Sequence, residues 1–139
     1  MDAAILDTDV LSEILKGKNA HVLSCARNYL AEHQRLAFSA LTAYEIMRGL
    51  RAVGAEQQLE AFFAMLSTSD VFEVSMPVLS RAAELWAEAT RSGHPRNDAD
   101  LIIAATALTA GRVLITGNSR HFEWINGVTI ADWHEQTDL

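Results

Sequence analysis

The chain has 139 residues, of which 50% are hydrophobic and 21% charged, as in ordinary folded proteins. Its formal net charge of −7 argues against a broad electropositive surface for nucleic acid, although metal-binding carboxylates would themselves add negative charge. The lone Cys25 cannot form an internal disulfide, and we find neither a secretory signal nor the ~18 apolar residues of a membrane span. We therefore expect one cytoplasmic domain spanning residues 1–139.

Short apolar segments alternate with amphipathic ones along the chain. Residues 3–6 predict a buried strand, and the helix that follows can be capped by Asp7 or Thr8. The same patterns predict helices at residues 19–34, 40–50, 55–66, 77–91 and 101–110, strands at 36–39, 71–74, 113–116 and 128–131, and one helical turn within 119–125. Strands of three to five residues between helices indicate an α/β fold with a parallel sheet covered on both faces.

Acidic residues recur near the ends of these predicted strands. Asp7 and Asp9 follow the first strand, Glu45 lies in the apolar helix after the second, and Asp98 and Asp100 begin the helix before the fourth. Ligands of open α/β sheets bind at the carboxyl ends of the strands. Converging carboxylates repel one another, and a hard divalent cation relieves that repulsion. Oxygen ligands without a Cys or His cluster favour Mg²⁺ or Mn²⁺ over zinc.

Each acidic group also has a simpler explanation. Asp7 and Asp9 could only cap the first helix and complement its dipole. Glu45 could be a solvated residue paired with a neighbouring arginine. Asp98 is a good N-cap, and Asp100 suits the first turn of a helix.

Five motifs, in order along nearly the whole chain, resemble PIN-domain ribonucleases, specifically the VapC-type toxins of bacterial toxin–antitoxin pairs. They are LDTDVLS at residues 6–12, SALTAYEIMRG at 39–49, DLIIAATAL at 100–108, LITGNSRHF at 114–122 and GVTIADW at 127–133. The resemblance implies a three-layer PIN-like fold with a five-stranded parallel sheet in the order 3-2-1-4-5. It also implies a metal-dependent RNA endonuclease that forms a homodimer, cuts RNA such as tRNA or rRNA, and binds a small VapB-type antitoxin.

The same resemblance assigns roles to individual residues. Asp7, Glu45 and Asp100 match the catalytic, metal-binding acids, with Asp98 as the second choice for the third ligand. Asp9 falls at a position where we expect support of the ligands rather than direct binding. The chain departs from the family after its fourth strand, where Asn118 and His121 stand in place of a frequent Asp. This departure puts a second metal ion in doubt.

Several further side chains are weaker candidates. Thr8 and Thr116 could orient ligands, or could simply end a helix and a strand. Phosphate contacts could come from Arg48, Arg96, Arg120 and His121, although each is more often a solvated surface residue. Tyr44 could stack a base, but packing is the commoner role of such an aromatic.

Two other functions fit parts of the sequence. The AAILDTDV segment also matches the first motif of haloacid-dehalogenase-type phosphatases, but the later phosphate-binding lysine of that family is missing, since no lysine follows Lys18. The third alternative is a non-catalytic regulatory module that binds metal or none. Finally, large apolar side chains in residues 40–66 predict a homodimer through the third and fourth helices. They are Leu50, Leu59, Phe62, Phe63, Met65 and Leu66.

Overall fold

A computed structural model describes residues 1–134 and contains a five-stranded, all-parallel sheet in the order β3-β2-β1-β4-β5. The strands are β1 (Ala4–Leu6), β2 (Ala37–Ser39), β3 (Asp70–Phe72), β4 (Val113–Ile115) and β5 (Ile130–Ala131). The helices are α1 (Thr8–Lys16), α2 (Ala20–His33), α3 (Ala40–Ala52), α4 (Glu56–Leu66), α5 (Met76–Ser92) and α6 (Asp98–Ala110), with a 3₁₀ turn at Ser119–His121. The predicted fold class and strand order are confirmed.

The sheet lies between two layers of helices, and successive strand residues alternate between them. In β1, Ala4 and Leu6 join the core under α1 to α4, whereas Ile5 joins the core under α5 and α6. The side chains of β1 are therefore buried on both faces, which explains why its sequence is continuously apolar. This placement fixes the carboxyl end of β1 at the centre of one edge of the sheet.

Side-chain caps determine where the helices begin at this edge. Asp7 caps α1, with its Oδ1 accepting a hydrogen bond from the Val10 N–H at 2.9 Å. Asn97 caps α6, and its Oδ1 accepts from the Asp100 N–H at 3.1 Å. The prediction that Asp98 is the cap is wrong, because Asn97, the residue just before it, adopts the extended backbone that a cap requires.

The apolar side chains of α3 and α4 contribute to the core to different extents. Phe62 is fully buried in the core, and Leu50, Met65 and Leu66 pack against the same cluster. Only Phe63 among the large residues predicted for a dimer interface is exposed, with 43% of its surface accessible. The core under α1 to α4 therefore takes up only part of this apolar surface, and the homodimer stays a prediction. No helix within residues 1–134 has the length and hydropathy needed to cross a membrane.

Candidate active site

Asp7 is the central acidic residue of the site. It follows β1 directly and is only 5% exposed, because it lies between the sheet edge and the first turn of α1. This burial raises the pKa of the carboxyl group from 3.8 to about 6, and the charges of Asp9 and Asp100 add to the effect. Hydrogen bonds from the Thr116 hydroxyl and the Val10 N–H oppose it.

Glu45 lies in the second turn of α3 and is held by the hydroxyl group of Thr8. The Thr8 hydroxyl donates to Glu45 Oε1 at 2.7 Å. Thr8 is also hydrogen-bonded to the buried Thr42, with 3.0 Å between the two oxygens. On its outer side, Glu45 Oε2 lies 3.6 Å from Arg48 Nη2. The two hydrogen bonds of Thr8 therefore link the start of α1 to α3 and hold one carboxylate oxygen of Glu45 in place.

Asp100 enters the site from the first turn of α6. Its Oδ2 lies 3.0 Å from His121 Nδ1, on the 3₁₀ turn that follows β4. Burial raises the pKa of Asp100, and the nearby charges of Asp9 and Glu45 raise it further. The hydrogen bond and charge of His121 act in the opposite direction. His121 thus stabilises the ionised form of Asp100 and orients it.

The loop after β4 is tied to the start of α1. Asn118 Nδ2 donates to Asp9 Oδ2 at 2.9 Å, and the Asn118 N–H donates to Thr116 Oγ1 at 3.0 Å. Thr116 is fully buried at the end of β4, next to Asp7. Asn118 therefore brings an uncharged donor, rather than a further carboxylate, to the acidic residues.

The structure places four carboxylates in one electrostatic field. Asp7 is influenced by Asp9 and Asp100, and Asp100 by Asp9 and Glu45. Carboxylate oxygens that repel one another are suited to a hard divalent cation. However, no group of three or more Asp, Glu, His or Cys side chains within residues 1–134 is arranged to hold a metal ion by itself. The donor chemistry itself fits a hard divalent cation.

Other residues singled out in the sequence lie elsewhere. Asp98 is exposed and lines a groove between α5 and α6, away from Asp7. Arg48 is engaged by Glu45, and its guanidinium also lies 5.2 Å from the centre of the exposed Tyr44 ring. Arg96 lies over Trp86, on the α5 side of the molecule.

Sequence reasoning missed two residues that support the site, Thr42 and Asn97. Thr42 supports Glu45 through Thr8, but a threonine in an apolar helix gives no distinctive signal. Asn97 could have been found, because Asn ranks with Asp among the best N-caps and precedes the apolar run. Its neighbour Asp98 offered an equally good pattern one residue later.

Comparison with known proteins identifies the family. A PIN-domain family model matches residues 4–126. The chain belongs to the PIN-domain family. The tRNA(fMet)-specific endonuclease VapC of Salmonella typhimurium is 28% identical over 130 residues, covering 93% of this chain and 96% of that protein. Ribonuclease VapC19 of Mycobacterium tuberculosis is 31% identical over 119 residues, covering 85% and 90% of the two chains.

Solved structures of PIN-domain toxins agree with this assignment. The DNA-bound VapBC complex of Salmonella typhimurium contains a chain with a TM-score of 0.83 and 28% identity, covering 96% of this chain and 99% of that one. The family and its ribonuclease relatives place the chain among VapC-type PIN proteins, which are hydrolytic endoribonucleases. This class replaces the phosphatase and the non-catalytic module considered from sequence.

Proposed function

We propose that this chain is the toxin of a toxin–antitoxin pair and cleaves structured RNA with the help of Mg²⁺ or Mn²⁺. The observation that carries the proposal is the electrostatic coupling of four carboxylates from α1, α3 and α6 at the carboxyl end of a parallel sheet. Such a cluster is costly for the fold, because it includes a buried ionisable group. A functional requirement for a cation accounts for that cost.

In this proposal Asp7, Glu45 and Asp100 are the catalytic acids and hold the metal mostly through water. The metal would lower the pKa of a bound water and stabilise the negative charge that develops on the phosphate. The contacts of Glu45 and Asp100 support these roles, since Thr8 fixes one and His121 orients the other. Carboxylates anchored in this way lose little freedom when they engage a ligand.

Asp9 and Asn118 take a supporting role. Their hydrogen bond joins the loop after β4 to the first turn of α1, which Asp7 caps. Together with Thr116, this contact limits the movement of the two backbone segments that border the acidic residues. We propose that these three residues position the ligands and do not contact the metal directly.

We propose that the substrate is structured RNA such as tRNA or rRNA. It is supported by the relative from Salmonella typhimurium, which is described as a tRNA(fMet)-specific endonuclease. The chain carries Arg120 and His121 on the exposed 3₁₀ turn beside Asp100, where they can contact phosphates. The identity of the RNA and its cleavage site follow from sequencing the products.

A small VapB-type antitoxin is the proposed partner. Structures of relatives are described as VapBC complexes, including the one from Salmonella typhimurium. In this chain a groove of about 600 Å³ lies between α1, α3 and the start of α4, and Thr8, Asp9 and Glu45 line one end of it. The groove is apolar at Ile46 and Leu50, which suits a helix of the antitoxin. A basic side chain of the antitoxin could then reach the carboxylates in place of the metal.

The proposal is tested with purified protein on total RNA, with Mg²⁺, with Mn²⁺ and with EDTA, followed by sequencing of new 5′ ends. We expect discrete cuts that require the metal and that disappear when the antitoxin is co-purified. Deleting the basic segment of the antitoxin should restore cleavage without ending binding. Full inhibition by the truncated antitoxin would show that charge replacement is the wrong explanation.

We also propose a homodimer, as the resemblance implies. Of the six apolar residues predicted for its interface, Phe62 is buried, Phe63 is exposed and the other four are partly buried. Light scattering at micromolar concentration gives the answer, since a single species near 15.3 kDa would exclude the dimer.

A further inference from the structure

The end of α5 and the segment that follows it concentrate positive charge in an acidic chain. Residues 91–96 read RSGHPR and carry two arginines and a histidine, while the whole chain has a formal charge of −7. Arg96 is exposed and makes no ion pair with a carboxylate in the part of the chain described here. The segment therefore offers a positive charge that is available for a ligand.

Two planar pairs surround this segment. The guanidinium of Arg96 lies 5.1 Å from the centre of the Trp86 ring, and its Nη1 donates to Thr90 Oγ1 at 3.2 Å. Trp86 nevertheless keeps 44% of its surface exposed. On the other side, His94 stacks on Trp124 with 4.8 Å between ring centres and 12° between planes. We call Trp86, His94, Arg96 and Trp124 the aromatic–basic surface.

This surface is continuous with the candidate active site. Trp124 Nε1 donates to the His121 carbonyl at 2.9 Å, and His121 Nδ1 lies 3.0 Å from Asp100 Oδ2. Direct contacts therefore connect Asp100 through the 3₁₀ turn to the stacked pair of Trp124 and His94. A chain bound at the carboxylates can extend directly onto this surface.

We propose that the aromatic–basic surface binds unpaired nucleotides next to the scissile bond, with bases stacking on its planar groups. The inference rests on the proposed ribonuclease function and names a binding surface for its substrate. Every base has a π-face, so such stacking tolerates many sequences, and Arg adds a cation–π contribution. A base-paired strand has its faces already occupied by neighbouring bases, so the surface favours single-stranded segments.

Charge favours RNA over a protein as the occupant. A protein partner would bury the charge of Arg96 and would have to supply a carboxylate to offset the desolvation cost. RNA neutralises the same charge with phosphate, while its bases cover the indole and imidazole rings. Arg91 and Arg120 are exposed on the same segment and on the 3₁₀ turn, where they can contact phosphates.

Binding is measured by fluorescence anisotropy with an unstructured, fluorescein-labelled RNA and with the same sequence in a duplex. The protein is the full chain carrying Asp7→Asn, which prevents cleavage during the measurement. We expect Trp86→Leu to weaken binding of the single strand about tenfold, with a smaller effect on the duplex. Arg96→Lys keeps the charge but removes the planar group, and should also weaken binding.

Met76→Leu is the control, because Met76 at the start of α5 is 75% exposed and is not part of the aromatic–basic surface. Its affinity for RNA should equal that of the parent. Circular dichroism verifies that each variant folds, and Arg96→Lys tests the proposal even if Trp86→Leu does not fold. Unchanged single-strand affinity in Arg96→Lys, and in a folded Trp86→Leu, overturns the inference. A lower molecular mass of Trp86→Leu in light scattering, with unchanged RNA affinity, would assign Trp86 to a protein interface and also overturns it.

Failure of the proposed function gives a different result. If the wild-type chain cuts no RNA with Mg²⁺ or Mn²⁺, the ribonuclease proposal is wrong. Loss of single-strand binding in Trp86→Leu would then still support the aromatic–basic surface as an RNA-binding site. Cleavage by the wild type together with unaffected binding by both surface variants would retain the ribonuclease and reject the surface.

Discussion

Replacing Asp7 with Asn should stabilise the metal-free protein at neutral pH. The pKa of this carboxyl group is about 6 in the folded chain, compared with an ordinary value of 3.8. Each pH unit between those values corresponds to about 1.4 kcal/mol, so ionised Asp7 lowers the free energy of unfolding at pH 7 by about 3 kcal/mol. Asn keeps the N-cap of α1, because Asn and Asp are equally good caps. The variant should therefore unfold about 10 °C higher than the wild type.

The sign of the pH dependence makes this prediction specific. Below pH 4 Asp7 binds its proton in both the folded and unfolded states, so the wild type and Asp7→Asn should be similarly stable. The advantage of the variant should grow as pH rises from about 4 to 6 and stay constant above. Thermal unfolding by circular dichroism in EDTA measures it, because a bound metal would offset the repulsion.

Asp98→Asn is the control for this experiment. Asp98 is an exposed residue at the start of α6, so its replacement removes the same charge without relieving burial. We expect little change, or a small loss from the helix dipole. A destabilised Asp7→Asn, or a gain in stability that does not vary with pH, would refute the conclusion that Asp7 is a strained buried acid.

Three further results are expected. Asn97→Ala should lower the free energy of unfolding by about 1 kcal/mol through loss of the α6 cap, and Asp98→Ala should lower it less in the same urea titration. The opposite order would show that Asp98 is the cap. Thr8→Val should reduce RNA cleavage about 10–100-fold, because it releases Glu45. Thr109→Val, at an exposed residue, is the control, and equal activity of the two variants would show that Thr8 does not position Glu45. Phe62→Ala should cost about 3–5 kcal/mol, because its ring is fully buried; a loss below 1 kcal/mol in urea unfolding would contradict that packing.

Much of the fold could be predicted because its signals are local. The short β1 run between Ala4 and Leu6 is apolar on both faces, and the helices show their apolar spacing in the sequence. The predicted ends of the helices differ from the observed ones at some positions. The α3 helix was predicted to end at residue 50, but it continues to Ala52 because Gly49 takes an ordinary helical conformation within it.

The candidate site was predictable only in part. Acidic groups from three distant segments could be expected together because the ends of parallel strands share one edge. The resemblance to PIN-domain ribonucleases then singled out Asp7, Glu45 and Asp100. Their supporting contacts depend on side chains far apart in the sequence, such as Asn118 with Asp9. No periodicity encodes such distances, so neither these contacts nor the internal burial of Phe62 could be derived from the pattern.

We propose that the acidic residues at the end of the sheet perform metal-dependent RNA cleavage. The most direct measurement compares cleavage of total RNA by the wild type and by Glu45→Gln, at equal concentrations of folded protein, with Mg²⁺ and with EDTA. Glu45→Gln removes a charge with little change in volume and keeps an oxygen for the Thr8 hydroxyl. We expect site-specific, metal-dependent cuts by the wild type and none by the variant. Near wild-type cleavage by Glu45→Gln, or cleavage that persists in EDTA, would exclude this role of the acidic residues.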